Sequence, residues 1–457
     1  MTYDVLVVGG GPAGVMAATA AARLGCKVAL VERYGFLGGM ATAALVLPIM
    51  TFHATLDEPV VAGLPQELID RLVARGASPG HLPDPIGFCA TITPVDPEAL
   101  KLEHQELCLE AGVHLRLHSF AVGVRVTEGR IEAVQVAGKD GLQWIEAALF
   151  IDCTGDGDVA ARAGAPFVYG RDGDGLTQPM TMMLRVRGVD WRAVADYAAQ
   201  HPDDFVLGCR PQELAELPAP AIAGFFRLVA AAKARGEFPI ERDRVLVFST
   251  GRPGEAIVNM TRIPRLDGTT TQGLTQGEVE GRRQAFQVFE FLRRYVPGFA
   301  EIELVQTGTQ VGVRESRRFV GEYTLTGPEV VAGAEFPDSV ARGAYPIDIH
   351  SPAGSGLETL RMPPGTSYDI PFRCLLPRGL QNLLVAGRCI SADHQALASA
   401  RISATAMALG QAAGTAAALA VKRGVSLREL PVSVLQAELA RQGALWGKAQ
   451  GKARREG

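Results

Sequence analysis

Two short, largely apolar runs, Tyr3–Val8 and Cys26–Glu32, open the chain, and each reads as a buried parallel strand. Between them Pro12–Leu24 is rich in alanine and suits a helix that stops at Gly25. Strand, tight turn, helix and strand within about 30 residues make a βαβ unit. Further on, the pattern predicts helices over Gln66–Arg75 and Pro97–Ala111, the second capped by Asp96. Strands follow over Val113–Leu117, Ala121–Thr127, Arg130–Val136 and Trp144–Ile151, with Glu128-Gly129 as a hairpin turn.

After Gly170 the pattern changes. Amphipathic helices are expected over Trp191–Gln200, Ala219–Arg235 and Gln276–Tyr295, mixed with strands Thr181–Val186 and Val245–Phe248, which is α+β character. Buried-strand character returns at Asn382–Ala386, and an alanine-rich helix follows from about Ala398. The expected organisation is therefore a discontinuous nucleotide-binding domain, residues 1–170 and 369–425, interrupted by a substrate or cap domain, 171–368. Residues 426–457 form a C-terminal helix and a basic tail that is expected to fray.

Composition narrows the partners. The 457 residues suffice for two to three domains. A net charge of −4, with no basic stripe, argues against nucleic acid. The seven cysteines are odd in number and form no C-x-x-C, against a disulfide framework, a zinc site or a dithiol motif, so a reducing, cytoplasmic setting is expected. Met1-Thr2 runs straight into a strand, so no signal peptide is expected. Glycines and charges interrupt Val5–Leu30, and Ala396–Val421 contains Arg401, so a core helix rather than a membrane span is expected there.

Three motifs carry chemistry. Gly9, Gly11 and Gly14 form G-x-G-x-x-G between strand and helix: Gly9 for the tight turn, Gly11 for backbone approach to a diphosphate, Gly14 for close helix–strand packing. The helix N-terminus supplies free N–H groups to the phosphates. Glu32 ends the second strand, placed for the ribose hydroxyls and unfavourable to a 2′-phosphate. Arg33 beside it reads equally as an adenosine contact or a solvated arginine. Leu149–Asp158 runs from a buried strand into a polar glycine turn, and its D-x-D lacks the glutamate of a calcium loop, so no metal is expected. Asn382–Ser391 is another strand leading to a turn, and the helix after it aims its N-terminus at the same place.

Together these segments resemble the FAD-dependent oxidoreductases of the glutathione-reductase-like superfamily, in the single-FAD-domain group related to the fumarate reductase flavoproteins. The segments Leu37–Thr42, Val313–Arg318 and Ala408–Gly414 share in the likeness. The resemblance implies a three-layer α/β, Rossmann-like FAD-binding domain with an inserted α+β substrate/cap domain, and FAD as cofactor. It implies that Gly11, Pro12, Ala13 and Gly14 hold the diphosphate and Glu32 the adenosine ribose. Gly38, Gly39, Met40, Ala41 and Thr42 would wrap the diphosphate and ribityl chain, and the backbone of Val122 would meet adenine. Thr154 and Gly155 would lie beside the adenosine half, with Asp156 and Asp158 in the adjoining turn. Gly387 and Arg388 would cover the ribityl side, and Arg401, Ile402 and Ser403 would face the pyrimidine edge. No second dinucleotide fingerprint is present, so electrons come from the substrate or from a separate donor or acceptor that the sequence does not name. Covalent flavin attachment through His53 or a cysteine is demanded by no motif.

The substrate is expected to be a small molecule; whether the chain forms a homo-oligomer stays open. Basic and polar candidates cluster late in the chain: Arg314, Arg317, His350, Tyr368, Arg373, His394 and Arg401. His350, Arg373 and His394 lie nearest the returning nucleotide motif and are the candidates for substrate binding or proton transfer. The bland alternative is structural histidines, with Arg314 and Arg317 paired to Glu315 and Glu322. Hydride transfer to or from flavin N5 is the leading expectation. A monooxygenase is disfavoured because Ala386-Gly387-Arg388 stands where those enzymes usually carry an Asp-Gly turn, and a flavin electron-transfer subunit is the third reading.

Overall fold

The computed structural model describes residues 2–351, 357–360, 362–448 and 450; most of the basic tail, and with it the expected fraying, lies outside them. The opening runs fold as the pattern predicts: strand Tyr3–Val8, helix Pro12–Arg23, strand Val28–Val31. Tyr3–Val8 pairs in parallel with Val28–Val31 on one side and with the end of Gly141–Asp152 on the other. His114–Arg116 extends the sheet beyond Val28–Val31, and Leu383–Val385 adds a parallel strand beside Phe150–Asp152. The first half of Gly141–Asp152 instead joins an antiparallel meander with Arg130–Gly138 and Phe120–Thr127. Its hairpin turn is the predicted one, Glu128 and Gly129 both being left-handed at φ 50° and 74°.

The helix Ser403–Arg423 crosses this sheet against Pro12–Arg23. The approach is set by glycine: a Cβ on Gly410 would lie 2.0 Å from the Ala13 carbonyl oxygen, and one on Gly414 would lie 2.1 Å from that of Ala17. Four-residue spacing puts both on one face, so the helices meet backbone to backbone. Gly410→Ala should therefore cost about 3 kcal/mol, since the helices must part to admit one methyl. Chemical denaturation reads this directly, and an unchanged midpoint would refute the close approach. Ser403–Arg423 is long and apolar enough to cross a bilayer, but 83% of its apolar window is buried inside the protein, as a core helix requires.

Residues between strands Gly141–Asp152 and Leu383–Val385 build a second, antiparallel sheet. Its order is Phe205–Val206, Ala221–Gly224, Val245–Ser249, Ala256–Val258, Leu184–Arg187 and Glu303–Thr307. Helices Trp191–Gln200, Phe226–Ala234 and Thr271–Tyr295 share one apolar core with this sheet.

Two helix expectations are corrected here. Ala219–Arg235 is not one helix: Ala221–Gly224 is a fully buried strand, and the helix begins at Phe226. Small apolar residues favour a helix locally, but pairing with Val245–Ser249 decides the strand. The alanine-rich helix near the C-terminus is also broken, into His394–Ala400 and Ser403–Arg423, with Ile402 extended at ψ 155°. The break gives Ser403 a helix N-terminus of its own. A smaller difference is the start of the predicted Gln276–Tyr295 helix, which begins at Thr271 behind a Thr270 cap.

Candidate functional site

One large cavity, of about 390 Å³, runs between the ends of the parallel strands and the antiparallel sheet. At one end lies the glycine loop. Gly9 takes φ 99°, and a Cβ there would strike the Cys153 carbonyl oxygen at 2.4 Å, so the loop packs on the neighbouring strand. A Cβ on Gly14 would lie 1.8 Å from the Gly9 oxygen, which is the helix–strand contact expected of this glycine. Gly11 differs: a Cβ there would meet only the Gly39 Cα, at 3.8 Å, so its open side faces the cavity. The Glu32 carboxylate accepts hydrogen bonds from the Gly10 N–H at 2.6 Å and the Tyr34 N–H at 3.0 Å while lining the same space. Burial raises its pKa, and those amides pull against the rise. Arg33 also lines the cavity, with Nη2 donating to Gln310 Oε1 at 2.6 Å and its guanidinium over the Tyr34 ring.

The segment Leu37–Thr42 folds back over this loop. Gly38 is left-handed at φ 106° and donates its N–H to the Gly10 oxygen at 2.8 Å, while the Thr42 hydroxyl donates to the Leu37 oxygen. Gly39 and Met40 line the cavity; Gly38, Ala41 and Thr42 stand behind them as support. Across the space, Asp152 is wholly buried and accepts from four groups: the Thr154 N–H and hydroxyl and the N–H groups of Val159 and Ala160. That clamp holds the Thr154-Gly155 turn on the cavity wall. Arg388 lines the wall beside it, its Nη2 2.9 Å from Asp156 Oδ1, with Gly387. Arg401, Ile402 and Ser403 complete this side.

The cavity thus brings together Gly9, Gly11, Pro12, Ala13, Glu32, Arg33, Gly39, Met40, Thr154, Gly155, Gly387, Arg388, Arg401, Ile402, Ser403 and His350. Several expected residues stand elsewhere. Val122 is the extra residue of a bulge opposite Gln135 and Val136, off the cavity wall. Asp158 pairs with Arg317 at 3.1 Å and Arg162 at 3.2 Å. Arg373 is half-buried away from the cavity, paired with Asp338 at 2.8 Å and stacked over Tyr323. His394 lies behind the wall with Nδ1 2.8 Å from Glu315 Oε1, the same carboxylate that pairs with the buried Arg318. Arg314 therefore does not pair with Glu315, and Glu322 pairs with Arg428 instead. Tyr368 is a core residue bonded to the Ser399 hydroxyl.

The far end of the cavity holds residues to which sequence reasoning gave no role: Asp84, Phe88, Arg242, Arg244, Phe248, Asn259, Tyr345 and Asp348. His350 Nε2 lies 3.4 Å from Asp348 Oδ2, with Arg401 Nη2 3.7 Å from the same oxygen and the Tyr345 hydroxyl at 3.4 Å. Burial works to raise Asp348, but His350, Arg401 and Arg314 outweigh it and hold the carboxyl well below its usual range. Burial and then Arg314 push His350 down to about 3, against the pull of Asp348, so the imidazole is neutral. No signal in the sequence marks Asp348 or Arg242, because each is one charged residue in a run of ordinary composition.

Three observations fit a flavin dinucleotide: an open glycine at a helix N-terminus, a carboxylate at the end of the adjoining strand, and a wall of backbone and arginine leading from them to a second chamber. This fold and site define a dinucleotide-dependent flavoprotein. The model of the FAD dependent oxidoreductase family matches residues 4–439, and the chain belongs to that family, with FAD as its cofactor. Among curated proteins it is 31% identical over 162 residues to digeranylgeranylglycerophospholipid reductase 1 of Methanopyrus kandleri, covering 34% of this chain and 40% of that one. A shorter match, 52% identical over 54 residues, is to dihydrolipoyl dehydrogenase of Trypanosoma brucei brucei, over 12% of this chain and 11% of that enzyme. The chain thus spans less than half the length of these curated relatives. In fold it is similar to a geranylgeranyl bacteriochlorophyll reductase-like protein from Thermoplasma acidophilum, with a TM-score of 0.50, 13% identity, and coverage of 96% of this chain and 84% of that one.

Proposed function

We propose that the protein transfers a hydride between a small organic substrate and N5 of its FAD, as a dehydrogenase or reductase. The observation that carries this reading is the continuity of one cavity from the glycine loop to the Arg401–Asp348–His350 cluster. In it Gly11, Pro12 and Ala13 would hold the diphosphate, Glu32 the ribose, and Gly39-Met40 with Gly387-Arg388 the ribityl chain. FAD when bound supplies the two-electron acceptor or donor. The chain's own residues supply the rest. Ionised Asp348 orients the neutral His350 ring through Nε2, leaving Nδ1 to accept a hydrogen bond from the substrate. Arg401 at the Ile402–Ser403 helix start places positive charge beside the reacting end of the cavity.

Anaerobic reduction of the holoprotein by dithionite followed by exposure to air tests the reaction class. Reoxidation slow on the scale of minutes is the result expected of a dehydrogenase. Rapid oxygen consumption coupled to hydroxylated product would overturn this reading in favour of a monooxygenase.

A further inference from the structure

The second chamber has two unlike walls, and their chemistry describes what it takes. Strands Ala221–Gly224 and Val245–Ser249 alternate strictly. Ile222, Val245 and Val247 face the core with the helices, whereas Ala223, Leu246 and Phe248 face the cavity. Ile86 and Phe88 join them in a separate apolar cluster on that face. This patch of sheet covers no helix; it is an apolar wall turned to the chamber.

The other wall is cationic. Arg242, from the turn before strand Val245–Ser249, and Arg314 both flank Asn259. Arg242 Nη2 lies 3.4 Å from the Asn259 carbonyl oxygen, and Arg314 Nη2 lies 3.5 Å from its Oδ1. Arg244 pairs with Asp243, and Arg401 with Asp348. Among the described residues neither Arg242 nor Arg314 forms an ion pair, although they are only 5% and 8% exposed. The Arg242 Nε–H is buried with no hydrogen-bond partner. Burial lowers Arg242 to about 10 and Arg314 to about 9; Arg244 and Arg262 add to the first shift and Arg401 and Arg242 to the second, while Asp348 opposes both and Asp243 opposes that of Arg242. Asp348, which already answers Arg401, is the carboxylate that Arg242 and Arg314 share, so among the described residues the arginines of the chamber outnumber it and favour an anion from outside the chain.

We infer that the substrate is an organic anion with one charged end, gripped by Arg242 and Arg314 about Asn259, and an apolar body laid against Ile86, Phe88, Leu246 and Phe248. This rests on the reading of the chamber as the substrate site. A second negative charge on the body is disfavoured, because the Asp84 carboxylate stands at the apolar wall, held by the N–H groups of Ile86, Phe88 and Cys89. The place of Asp84 on the apolar wall therefore favours a substrate whose charge is confined to the end that meets the arginines.

The test uses the FAD-loaded protein and titrates 3-phenylpropanoate, its neutral amide, and succinate, followed by calorimetry and by perturbation of the visible flavin band. Phenylpropanoate is expected to bind at least tenfold more tightly than either of the others. Arg242→Gln and Arg314→Gln should bring acid and amide within about twofold of one another, while Arg242→Lys and Arg314→Lys should keep part of the preference. Flavin content and melting temperature of each variant identify any that has lost its fold, and the lysine variants then carry the comparison. Equal affinity for acid and amide, tighter binding of succinate, or a preference that survives both glutamine substitutions would overturn the inference. Failure of the flavin reading is separate: it would show as protein that takes up no FAD, whereas calorimetry reports anion binding without any flavin signal.

Discussion

Gly11→Ala is expected to fold like the parent and yet to lose FAD affinity by about 100-fold or more, about 2.7 kcal/mol. The two halves of this expectation have different causes. In the protein itself the added methyl meets nothing closer than 3.8 Å, and Gly11 sits at φ −72°, which alanine adopts freely. The methyl therefore costs the fold little. It does occupy the face where the diphosphate must approach the backbone N–H groups of the helix start, and there it acts as a steric block. Gly14→Ala is the control with the opposite balance. Its methyl would stand 1.8 Å from the Gly9 oxygen and 3.2 Å from the Cys153 Cβ, so it should lower the melting temperature with or without flavin. Thermal melting of the flavin-free variants and titration with FAD separate the two effects. If Gly11→Ala bound FAD as well as the parent, the diphosphate would have to lie elsewhere.

The second large effect is one of pH. His104 lies on helix Pro97–Glu110 beneath the Gly38 turn, 1% exposed, and both ring nitrogens lack a partner. Burial pushes its pKa down to about 3 from 6.5. Above pH 6.5 the ring is neutral in both folded and unfolded chains, and it adds no pH dependence. Below that value the unfolded chain binds a proton that the folded one refuses, so stability falls as pH falls, by about 1.4 kcal/mol per unit. The loss continues until the folded ring itself protonates near pH 3. His350 acts with the same sign, and Asp369, raised by burial to about 6, acts with the opposite sign between pH 6 and 4. The whole-protein curve mixes these with other groups, among them His81, which burial lowers to about 4, but the difference between parent and His104→Leu isolates one. That variant should gain on the parent by about 1.4 kcal/mol for each pH unit below 6.5, roughly 3 kcal/mol by pH 4.5. Denaturant unfolding at several pH values measures it, and parallel curves would show that His104 is protonated in the folded state.

The nucleotide end of the site was legible because its chemistry is local. The diphosphate loop needs glycines at fixed spacing between a strand and a helix, and the ribose acid must end the next strand, so Gly9, Gly11, Gly14 and Glu32 announce themselves in order. The hairpin at Glu128-Gly129 and the Asp96 cap are legible for the same reason: each is set by residues within one turn of one another. Asp152 marks the limit of such reading. Its strand was expected, but its role in clamping the Thr154 turn appears only when the turn is folded against it.

The substrate end was not legible, because its residues are assembled from distant segments and look ordinary where they stand. Glu241–Arg244 is a mixed charge run that reads as solvated surface, yet its arginine at 242 is buried in the chamber. Arg373 and His394 are singled out by nearness in sequence to the returning strand, and the fold turns one to Asp338 and the other to Glu315. His350 reaches the cavity because strand pairing, not sequence distance, sets its direction. Sequence alone thus determined the βαβ unit and the place of Gly11 and Glu32 on the cavity wall, since these depend on backbone conformation and spacing within a short stretch. Which charges are buried, and which of them remain without a counter-charge, was decided by tertiary structure, because burial is a property of the packed neighbours and not of the residue.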